Sequence, residues 1–310
     1  MTPMSNVALA LRFVLLAAVW GLSFLFIKIA LEGLSPQQVV LGRMVLGAIS
    51  LAIVVGAGRY RLPQGFAVWA HLFFISLFLC VIPFTLFAVA ETEIDSGLAS
   101  IYNATTPLIT GLIAFAALPE ERLTPRAAVG ILTGFLGVAV VVGVWSLGAS
   151  ASNLRGQMLC LGATLCYGIA MVWIRKFISP LRLPAASVAF VQVGLGAVTT
   201  LALAPVFSTG PARLNLPIAV AMLGLGCLST GMAYLWNTQI IAGWGATIGS
   251  SVTYLTPVVG VVAGATILGE SLTWHQPLGA LIIVAGVVLA RSKPRARSVG
   301  QRVSSLPPRE

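Results

Sequence analysis

The sequence predicts an all-α, polytopic membrane protein with ten transmembrane helices, arranged as two inverted-topology repeats of five helices. Three observations lead to this fold class. The composition is strongly apolar, one stretch of the chain occurs twice, and the basic residues are distributed unevenly among the loops. The composition indicates the surrounding solvent, the duplication indicates the repeat architecture, and the basic residues indicate the orientation of the chain.

The composition excludes an ordinary soluble domain. Hydrophobic residues make up 58% of the 310 residues, and charged residues make up 8%. A soluble domain carries about 25% charged residues, so a globule of this composition could not cover its surface with solvated groups. Because a helix of about 20 apolar residues crosses the hydrocarbon of a bilayer, the chain is long enough for ten spans joined by short loops.

Apolar runs of transmembrane length alternate with short turns along the chain. Proline opens several of these runs, where its missing N–H costs nothing because the first turn of a helix has unpaired donors. The expected helices are Leu9–Leu31, Pro36–Gly56, Phe66–Ala88, Ser96–Leu118, Ala127–Trp145, Gly156–Lys176, Ala185–Phe207, Leu216–Ile241, Ala246–Leu268 and Gln276–Ala290. The basic, proline-containing tail over residues 292–310 is expected to be disordered and cytoplasmic.

The second observation is an internal duplication. Thr106-Pro107 returns 150 residues later as Thr256-Pro257, and the acidic turn and the glycines that follow return in the same order. The other matched positions are Ser100 with Ser250, Leu118 with Leu268, Glu121-x-Leu123-Thr124 with Glu270-x-Leu272-Thr273, Gly130 with Gly279, and Gly137 with Gly286. A duplication constrains the fold more than any isolated motif. It divides the chain into a first repeat over residues 1–147 and a second repeat over residues 148–291.

The third observation is the placement of lysine and arginine, which sets the orientation. Cytoplasmic loops carry an excess of these residues, and that rule places both termini in the cytoplasm. With five spans per half, the second half must then be inserted upside down relative to the first. The repeated turn agrees, because Arg122 and Arg126 of the first copy are replaced by Ser271 and His275 in the second.

Inverted repeats related by a pseudo-twofold axis in the membrane plane are the architecture of secondary transporters. In such proteins the substrate site lies between the halves near the middle of the bilayer, and rocking of one half against the other alternates access. We therefore expect a carrier that moves small organic metabolites across the cell membrane by alternating access. A passive channel or facilitator for small solutes is the alternative, and an intramembrane enzyme is a more remote one.

The sequence contains no motif that indicates an enzymatic or metal-binding function. There is no His-Glu-x-x-His, P-loop or Gly-x-Ser-x-Gly motif, so we expect no catalytic residues and no cofactor. The four cysteines lie inside apolar runs and include no Cys-x-x-Cys pair, which gives no reason to expect a metal site.

The expected partners are the lipid bilayer and a small-molecule substrate. The net charge of +10 comes from single basic residues between apolar runs and from the tail. It does not form one solvated basic face, so we expect no nucleic-acid partner. A monomer and a homodimer both remain open.

The motifs resemble those of a known family. The residues similar to the opening of an EamA repeat are Trp20-Gly21, Lys28, Ser35-Pro36 and Arg43. The Thr-Pro and Glu-x-Leu-Thr motifs are similar to the end of an EamA repeat in both copies.

The resemblance is to the EamA family of the drug/metabolite transporter superfamily. It implies ten helices, cytoplasmic termini and metabolite movement, often export. It also implies a place in the cell membrane, which is the inner membrane in a Gram-negative cell. Some relatives, of the YddG type, export amino acids, which suggests that substrate class. The second copy departs from the pattern, with Phe190 in place of Arg43.

A pseudo-twofold site draws matching positions from both halves, and four such pairs combine aromatic rings with amides or hydroxyls near mid-helix. The pairs are Trp20 with Tyr167, Phe84 with Tyr234, Phe87 with Asn237, and Asn103 with Thr253. Aromatic walls with a few placed polar groups are what a small-molecule pocket needs. The residues predicted to bind substrate are Trp20, Phe84, Asn103, Tyr167, Tyr234, Asn237 and Thr253. We expect helices 1, 3, 4, 6, 8 and 9 to line the cavity. Packing between helices is the alternative for these side chains.

Prolines and charged residues within the apolar runs add further predictions. Pro107 and Pro257 lie inside expected helices, where each frees a backbone carbonyl and makes a hinge or, alternatively, a fixed kink. Lys28 and Arg43 lie near expected helix ends, where such side chains usually extend to the membrane surface. Pairing with a substrate carboxylate is the alternative for these two cations. No carboxylate stands at mid-helix, so a simple proton antiport through a buried acid is not expected.

Overall fold

The computed structural model describes residues 5–118, 124–142, 151–207, 210–244 and 252–291. All of the regular structure in these ranges is helical. The helical segments are, in chain order, α1 (Asn6–Ala30), α2 (Pro36–Ala57), α3 (Phe66–Ala90), α4 (Ser96–Ala117), α5 (Pro125–Val142), α6 (151–178), α7 (Ala185–Phe207), α8 (216–244), α9 (Thr256–Ile267) and α10 (His275–Arg291). The tail after residue 291 and the turn at Glu121 lie outside the described residues.

The helices have the length and composition of membrane spans. Seven of them are long and apolar enough to cross a bilayer, and α5, α9 and α10 are shorter apolar helices within the described residues. Large apolar side chains cover the outside of the bundle, and Leu281 of α10, for example, is 69% exposed. Lipid chains cover such a surface, whereas in water it would promote aggregation. The chain is a multi-pass membrane protein.

Polar turns define several helix starts. Ser35 caps α2, because its hydroxyl accepts from the backbone N–H of Gln38 while the Gln38 side chain accepts from the N–H of Ser35. Asn215 caps α8, because its side-chain oxygen accepts a hydrogen bond from the backbone N–H of Ile218. The N–H of Arg213 also donates to the carbonyl of Gly33. The hydrogen bond between Arg213 and Gly33 joins the α1–α2 and α7–α8 connections on one side of the bundle.

Two helices contain a wide turn close to residues that form the cavity described below. A π-helical segment, Leu77–Val81, lies inside α3 and ends just before Pro83. A longer one, Gly224–Met232, lies inside α8 and ends just before Tyr234. π turns are rare and occur frequently at functional sites. They shift the register of a helix, so residue spacing alone does not give the face on which the following side chains lie.

The structure corrects the prediction for the proline-containing helices, in which Pro107 and Pro257 were expected inside continuous helices. Instead, α4 consists of two helical stretches, Ser96–Asn103 and Thr106–Ala117, separated by a turn. Pro107 therefore lies at the start of the second stretch, where its missing N–H has no partner to lose. Pro257 has the same place at the start of α9, after the 3-10 turn Val252–Tyr254. The predicted hinge thus concerns a junction between helical stretches and not a kink within one.

The two halves of the chain, α1–α5 and α6–α10, interlock extensively. Helix α1 packs against α8 and α9, and correspondingly α6 packs against α3 and α4. Helix α2 packs against α8, and α7 packs against α3. Three further pairs, α2 with α7, α4 with α9 and α5 with α10, join equivalent helices of the two halves. Each of these contacts has a counterpart with the halves exchanged, as expected of two related repeats.

The α5–α10 pair packs closely because both helices present glycine to each other. A Cβ added to Gly286 would lie 2.5 Å from the backbone nitrogen of Gly134, and one added to Gly137 would lie 2.7 Å from the backbone nitrogen of Ile283. Both distances are shorter than a van der Waals contact, so only glycine lets the two backbones approach this closely. Small residues at helix interfaces have this function in membrane proteins, where packing drives helix association.

Replacing Gly286 by valine is expected to force α5 and α10 apart. Overpacking costs about 1–3 kcal/mol, so purified Gly286→Val should unfold at a lower temperature in detergent than the parent chain. Gly194→Val is the matched control, because a Cβ at Gly194 in α7 meets no atom within 4 Å. Equal melting temperatures for the two variants would contradict this description of the helix pair.

Candidate functional site

A cavity of about 140 Å³ lies between the two halves of the bundle. An apolar cavity of about 150 Å³ is large enough to hold benzene, so this one accommodates a small organic molecule. Its walls combine aromatic rings with an amide, several hydroxyls and a guanidinium. The lining residues are Trp20, Ser23, Phe24, Ile27, Arg43, Leu79, Phe84, Phe87, Asn103, Thr106, Tyr167, Met171, Ser229, Tyr234, Thr253 and Thr256.

Six of the seven side chains predicted to bind substrate line this cavity. They are Trp20, Phe84, Asn103, Tyr167, Tyr234 and Thr253. Asn237 is not among the lining residues. Three residues advance a helix by about 4.5 Å, which takes Asn237 almost one turn away from Tyr234 along α8. Phe87, the counterpart of Asn237 in the first half, does line the cavity, so the two halves contribute unequally at this pair of positions.

The helices that line the cavity are those that the sequence predicts, with one addition. Residues of α1, α3, α4, α6, α8 and α9 form the walls, together with Thr253 in the turn before α9. The addition is α2, which is not among the helices expected to line the cavity and which contributes Arg43. In the described part of the chain, α5, α7 and α10 contribute no lining residue.

Aromatic rings in contact with one another form one wall. Phe24 and Phe87 meet edge to face with their ring centroids 5.4 Å apart, and the Phe87 and Tyr167 centroids are 6.1 Å apart. Such pairs contribute about 0.5–1.5 kcal/mol each beyond the area that they bury. The contacts join α1, α3 and α6, so this wall connects both halves and presents an apolar surface to a ligand.

Hydrogen bonds between α1 and α8 fix another wall. The indole Nε1 of Trp20 donates to the carbonyl of Ser229 over 3.3 Å. The hydroxyl of Ser229 donates to the carbonyl of Val19 over 3.2 Å, and Ser23 donates to the same carbonyl within its own helix. These bonds occupy the donors of side chains that face the cavity. Trp20 therefore offers a ligand its ring and not its N–H.

Arg43 does not extend to the membrane surface, contrary to expectation. Its side chain is 7% exposed. Its Nε donates to the hydroxyl of Thr230 over 3.0 Å, and its guanidinium carbon lies 3.7 Å from the ring centroid of Phe84. The guanidinium is therefore held inside the bundle by α8 and α3, at the wall of the cavity.

Lys28 also stays inside the protein, where it holds the turn between α3 and α4. Its ammonium donates to the backbone carbonyls of Glu91 and Ile94 over 2.7 and 2.8 Å. The carboxyl of Glu91 is buried, and neither of its oxygens has a hydrogen-bond partner among the described residues. Burial raises the pKa of this carboxyl well above its usual value, and the positive charge of Lys28 opposes that shift. The ammonium of Lys28 does not extend to the membrane surface because the carbonyls of this turn accept its hydrogen bonds.

A link between the two halves lies beside this turn. The carboxylate of Glu270, between α9 and α10, accepts hydrogen bonds from the backbone N–H groups of Ser96 and Gly97 over 2.8 and 2.9 Å. These groups belong to the first turn of α4, where a helix has unpaired donors and favours negative charge. In the second copy, the Glu-x-Leu-Thr motif therefore closes one end of the bundle. Its first-copy counterpart, Glu121, lies outside the described residues.

Several polar lining residues were not in the predicted set, namely Ser23, Arg43, Thr106, Ser229 and Thr256. The two threonines precede the repeated prolines, so the duplicated Thr-Pro pair was a signal for them. Arg43 was visible as a basic residue within an apolar run, but the sequence does not give its depth. Nothing in the sequence distinguishes Ser229, because its position depends on the π segment of α8.

Comparison with known proteins gives a family for both halves. The sequence profile of the EamA-like transporter family matches residues 8–143 and, a second time, residues 154–292. Together the two matches cover nearly all of the chain. They fall on either side of the boundary at residue 148 that the internal duplication predicts.

Known relatives cover most of the chain at low identity. The chain is 27% identical over 294 residues to a probable amino-acid metabolite efflux pump of Salmonella typhimurium, with 89% of this chain and 92% of that protein covered. A protein of the same name from Escherichia coli is 26% identical over 294 residues, with 89% and 92% covered. The uncharacterized transporter YoaV of Bacillus subtilis is 24% identical over 275 residues, with 87% and 92% covered.

A solved crystal structure has the same fold. It superposes with a TM-score of 0.63 at 20% sequence identity, and the match covers 93% of this chain and 98% of that one. At this identity the likeness concerns the arrangement of the helices and not the substrate.

Removing the Glu270 carboxylate is expected to weaken the end of the bundle that it closes. Glu270→Ala leaves backbone donors of α4 without their acceptor, and the loss of a helix cap costs about 0.5–2 kcal/mol. Thermal unfolding in detergent should therefore show a lower midpoint for Glu270→Ala than for Glu270→Gln, which keeps one acceptor oxygen. The control is Glu32→Ala, which removes an exposed carboxylate. The capping function is refuted if Glu270→Ala and Glu32→Ala unfold at the same temperature.

Proposed function

The chain belongs to the EamA-like transporter family, and from this premise we propose that it moves small organic metabolites, amino acids or related compounds, across the cell membrane. Export by alternating access is the proposed mode. The observation that carries the proposal is the cavity, which side chains of both halves line and which has space for a small organic molecule. Relatives named as probable amino-acid metabolite efflux pumps support the substrate class.

The lining suits a molecule with both apolar and polar parts. Phe24, Phe87 and Tyr167 offer ring surfaces, and Asn103 offers an amide that has no hydrogen-bond partner among the described residues. Small-molecule sites have mostly apolar walls with a few placed polar groups that fix the orientation of the ligand. An amino acid with a small or medium side chain has this mixed character.

The proposal includes insertion of the second half in the opposite orientation to the first. Each half has five helices, and an odd number of spans returns the chain on the opposite side of the membrane. The exchanged helix contacts support two related halves. The replacement of Arg122 and Arg126 by Ser271 and His275 supports the inversion, because cytoplasmic loops retain positive charge. In this orientation both termini lie in the cytoplasm, and in a Gram-negative cell the protein lies in the inner membrane.

Alternating access requires that contacts on one side of the cavity open while those on the other side close. The Glu270 cap joins the halves on the proposed outer side, so it must break when the cavity opens outward. Thr106 and Thr256 line the cavity at the starts of helical stretches. Rotation at the turns before these residues would change the shape of the cavity, and for this reason Pro107 and Pro257 are the proposed hinge residues.

A passive channel is the alternative, and its kinetics differ. Flux through a carrier saturates as the substrate concentration rises, because each cycle moves one bound molecule, whereas flux through a channel rises with concentration. A catalytic activity is not part of the proposal, since the family and the relatives above are named as transporters or pumps.

Asn103→Ala is expected to weaken substrate binding. The loss of one hydrogen bond costs about 0.5–1.5 kcal/mol, which corresponds to a roughly two- to tenfold weaker apparent affinity. Purified protein in liposomes is tested for uptake of a panel of radiolabelled amino acids. The parent chain should show saturable flux for at least one of them, and Asn103→Ala should require a higher concentration to reach half of the maximal rate.

The matched control is Asn237→Ala, which removes the same side chain from α8 at a position outside the cavity lining. It should transport the same amino acids with nearly parental kinetics. Absence of flux for the whole panel would reject amino acids as substrates. Equal losses in the two variants would reject the cavity as the binding site.

A further inference from the structure

Arg43 carries a buried positive charge, and such a charge requires a partner that stabilises it. It is 7% exposed and lies on the buried face of α2, which also carries Val39, Val40 and Met44. A charge at such a position is costly unless the protein or a ligand pairs with it. Arg43 also lines the cavity, so a ligand can reach it.

The described residues compensate Arg43 only in part. Its Nε donates to the hydroxyl of Thr230 over 3.0 Å, and one face of the guanidinium lies against the ring of Phe84. Within the described ranges, the terminal nitrogens make no hydrogen bond and no carboxylate makes an ion pair with Arg43. A guanidinium has N–H donors on all three nitrogens. The edge formed by its two terminal nitrogens is therefore available to a ligand.

The ionisable groups around Arg43 do not neutralise it. Those within electrostatic range are Tyr167, Tyr234, Cys80 and Glu91. Phenol and thiol groups are ordinarily neutral near pH 7, so only Glu91 could supply a negative charge. Its carboxyl has no hydrogen-bond partner in the described structure, and burial raises its pKa well above the usual value. The wall of the cavity at α2 therefore carries positive charge that an incoming anion can balance.

We propose that Arg43 binds a carboxylate of the transported molecule, so that the substrates of this cavity are small organic monocarboxylates. This inference rests on the proposed function and names the chemical class of the substrate. A carboxylate is planar, and its two oxygens match a guanidinium edge in two parallel charge-assisted hydrogen bonds. The ring of Phe84 covers one face of Arg43 and leaves the edge of the guanidinium for these bonds.

Charge and volume both favour a monocarboxylate over a phosphate ester. One arginine balances one negative charge. A phosphate monoester carries nearly two, and the second would be an uncompensated charge inside the bundle. The cavity volume of about 140 Å³ leaves little space beyond a carboxylate and a short side chain.

The binding site is one-sided, which orients the ligand. In the second half, α7, which corresponds to α2, contains no arginine, so the repeat does not provide a second arginine at the matching position. The carboxylate is therefore held beside α2. The rest of the molecule then meets the ring surfaces of Phe24, Phe87 and Tyr167 on α1, α3 and α6.

Matched acids and amides test this assignment. Valerate and valeramide, and likewise valine and valinamide, have nearly the same shape and differ in the charge of one group. The thermal stability of the detergent-purified protein is measured against increasing concentrations of each probe, because a ligand that binds only the folded state raises the melting temperature. The variants are Arg43→Met, which removes the charge, and Arg43→Lys, which keeps the charge and loses the planar fork.

The parent protein should be stabilised by the two acids and not by the amides at equal concentration. The apparent affinity for valerate should fall about tenfold or more in Arg43→Met, as expected for a lost charge-assisted pair, and by a smaller factor in Arg43→Lys. The comparison of acid with amide uses the parent protein, so it tests the proposal even where a variant fails to fold.

Equal stabilisation by acid and amide, or no stabilisation by either acid, would overturn the proposal. Parental affinity for valerate in a folded Arg43→Met would also overturn it. Stronger stabilisation by inorganic phosphate than by valerate would reject the monocarboxylate class. Failure of the proposed transport function gives a different result, in which valerate still stabilises the parent through Arg43 while no amino acid crosses the liposome membrane.

Discussion

Hydrocarbon offers no hydrogen-bond partners, and this constraint governs where the polar groups of the bundle lie. The cations of α1 and α2 illustrate it. Lys28 donates to two backbone carbonyls of the turn between α3 and α4 and so stabilises that turn. Arg43 has a single hydrogen-bond acceptor in the described structure, the hydroxyl of Thr230, and it lies at the wall of a cavity. The two residues carry the same charge, and the difference in their partners separates a structural function from a proposed binding function.

The cavity exists because the helices around it are irregular. Regular helices pack at about 8–10 Å along their contact and leave little space between them. Here α3 and α8 contain π segments, and helical stretches begin at Thr106 and Thr256 next to the cavity. The close glycine contacts lie elsewhere, between α5 and α10. The bundle thus combines a tightly packed pair of helices at its periphery with interrupted helices at its centre, where the proposed alternating access requires movement.

Much of the fold is predictable from the sequence, because a change from a polar turn to an apolar run marks a membrane helix clearly. The observed starts that coincide with predicted ones include Pro36, Phe66, Ser96 and Ala185. Six lining residues were predictable because matching positions of the two repeats converge. Asn237 does not line the cavity beside Tyr234, since sharing a helix face does not give equal depth along the helix. The burial of Arg43 depends on Thr230 and Phe84, which lie on other helices, and no spacing within α2 identifies such partners.

The proposed transport depends on the proposed opposite orientation of the two halves around one cavity. Labelling of single cysteines with a membrane-impermeant maleimide tests it most directly. The sites are Thr124→Cys, before α5, and Ser271→Cys, before α10, both exposed, in a chain whose own four cysteines are replaced by alanine. Opposite insertion predicts that intact cells label Ser271→Cys, and that Thr124→Cys is labelled only after the membrane is permeabilised. Labelling of both sites from the same side would contradict it.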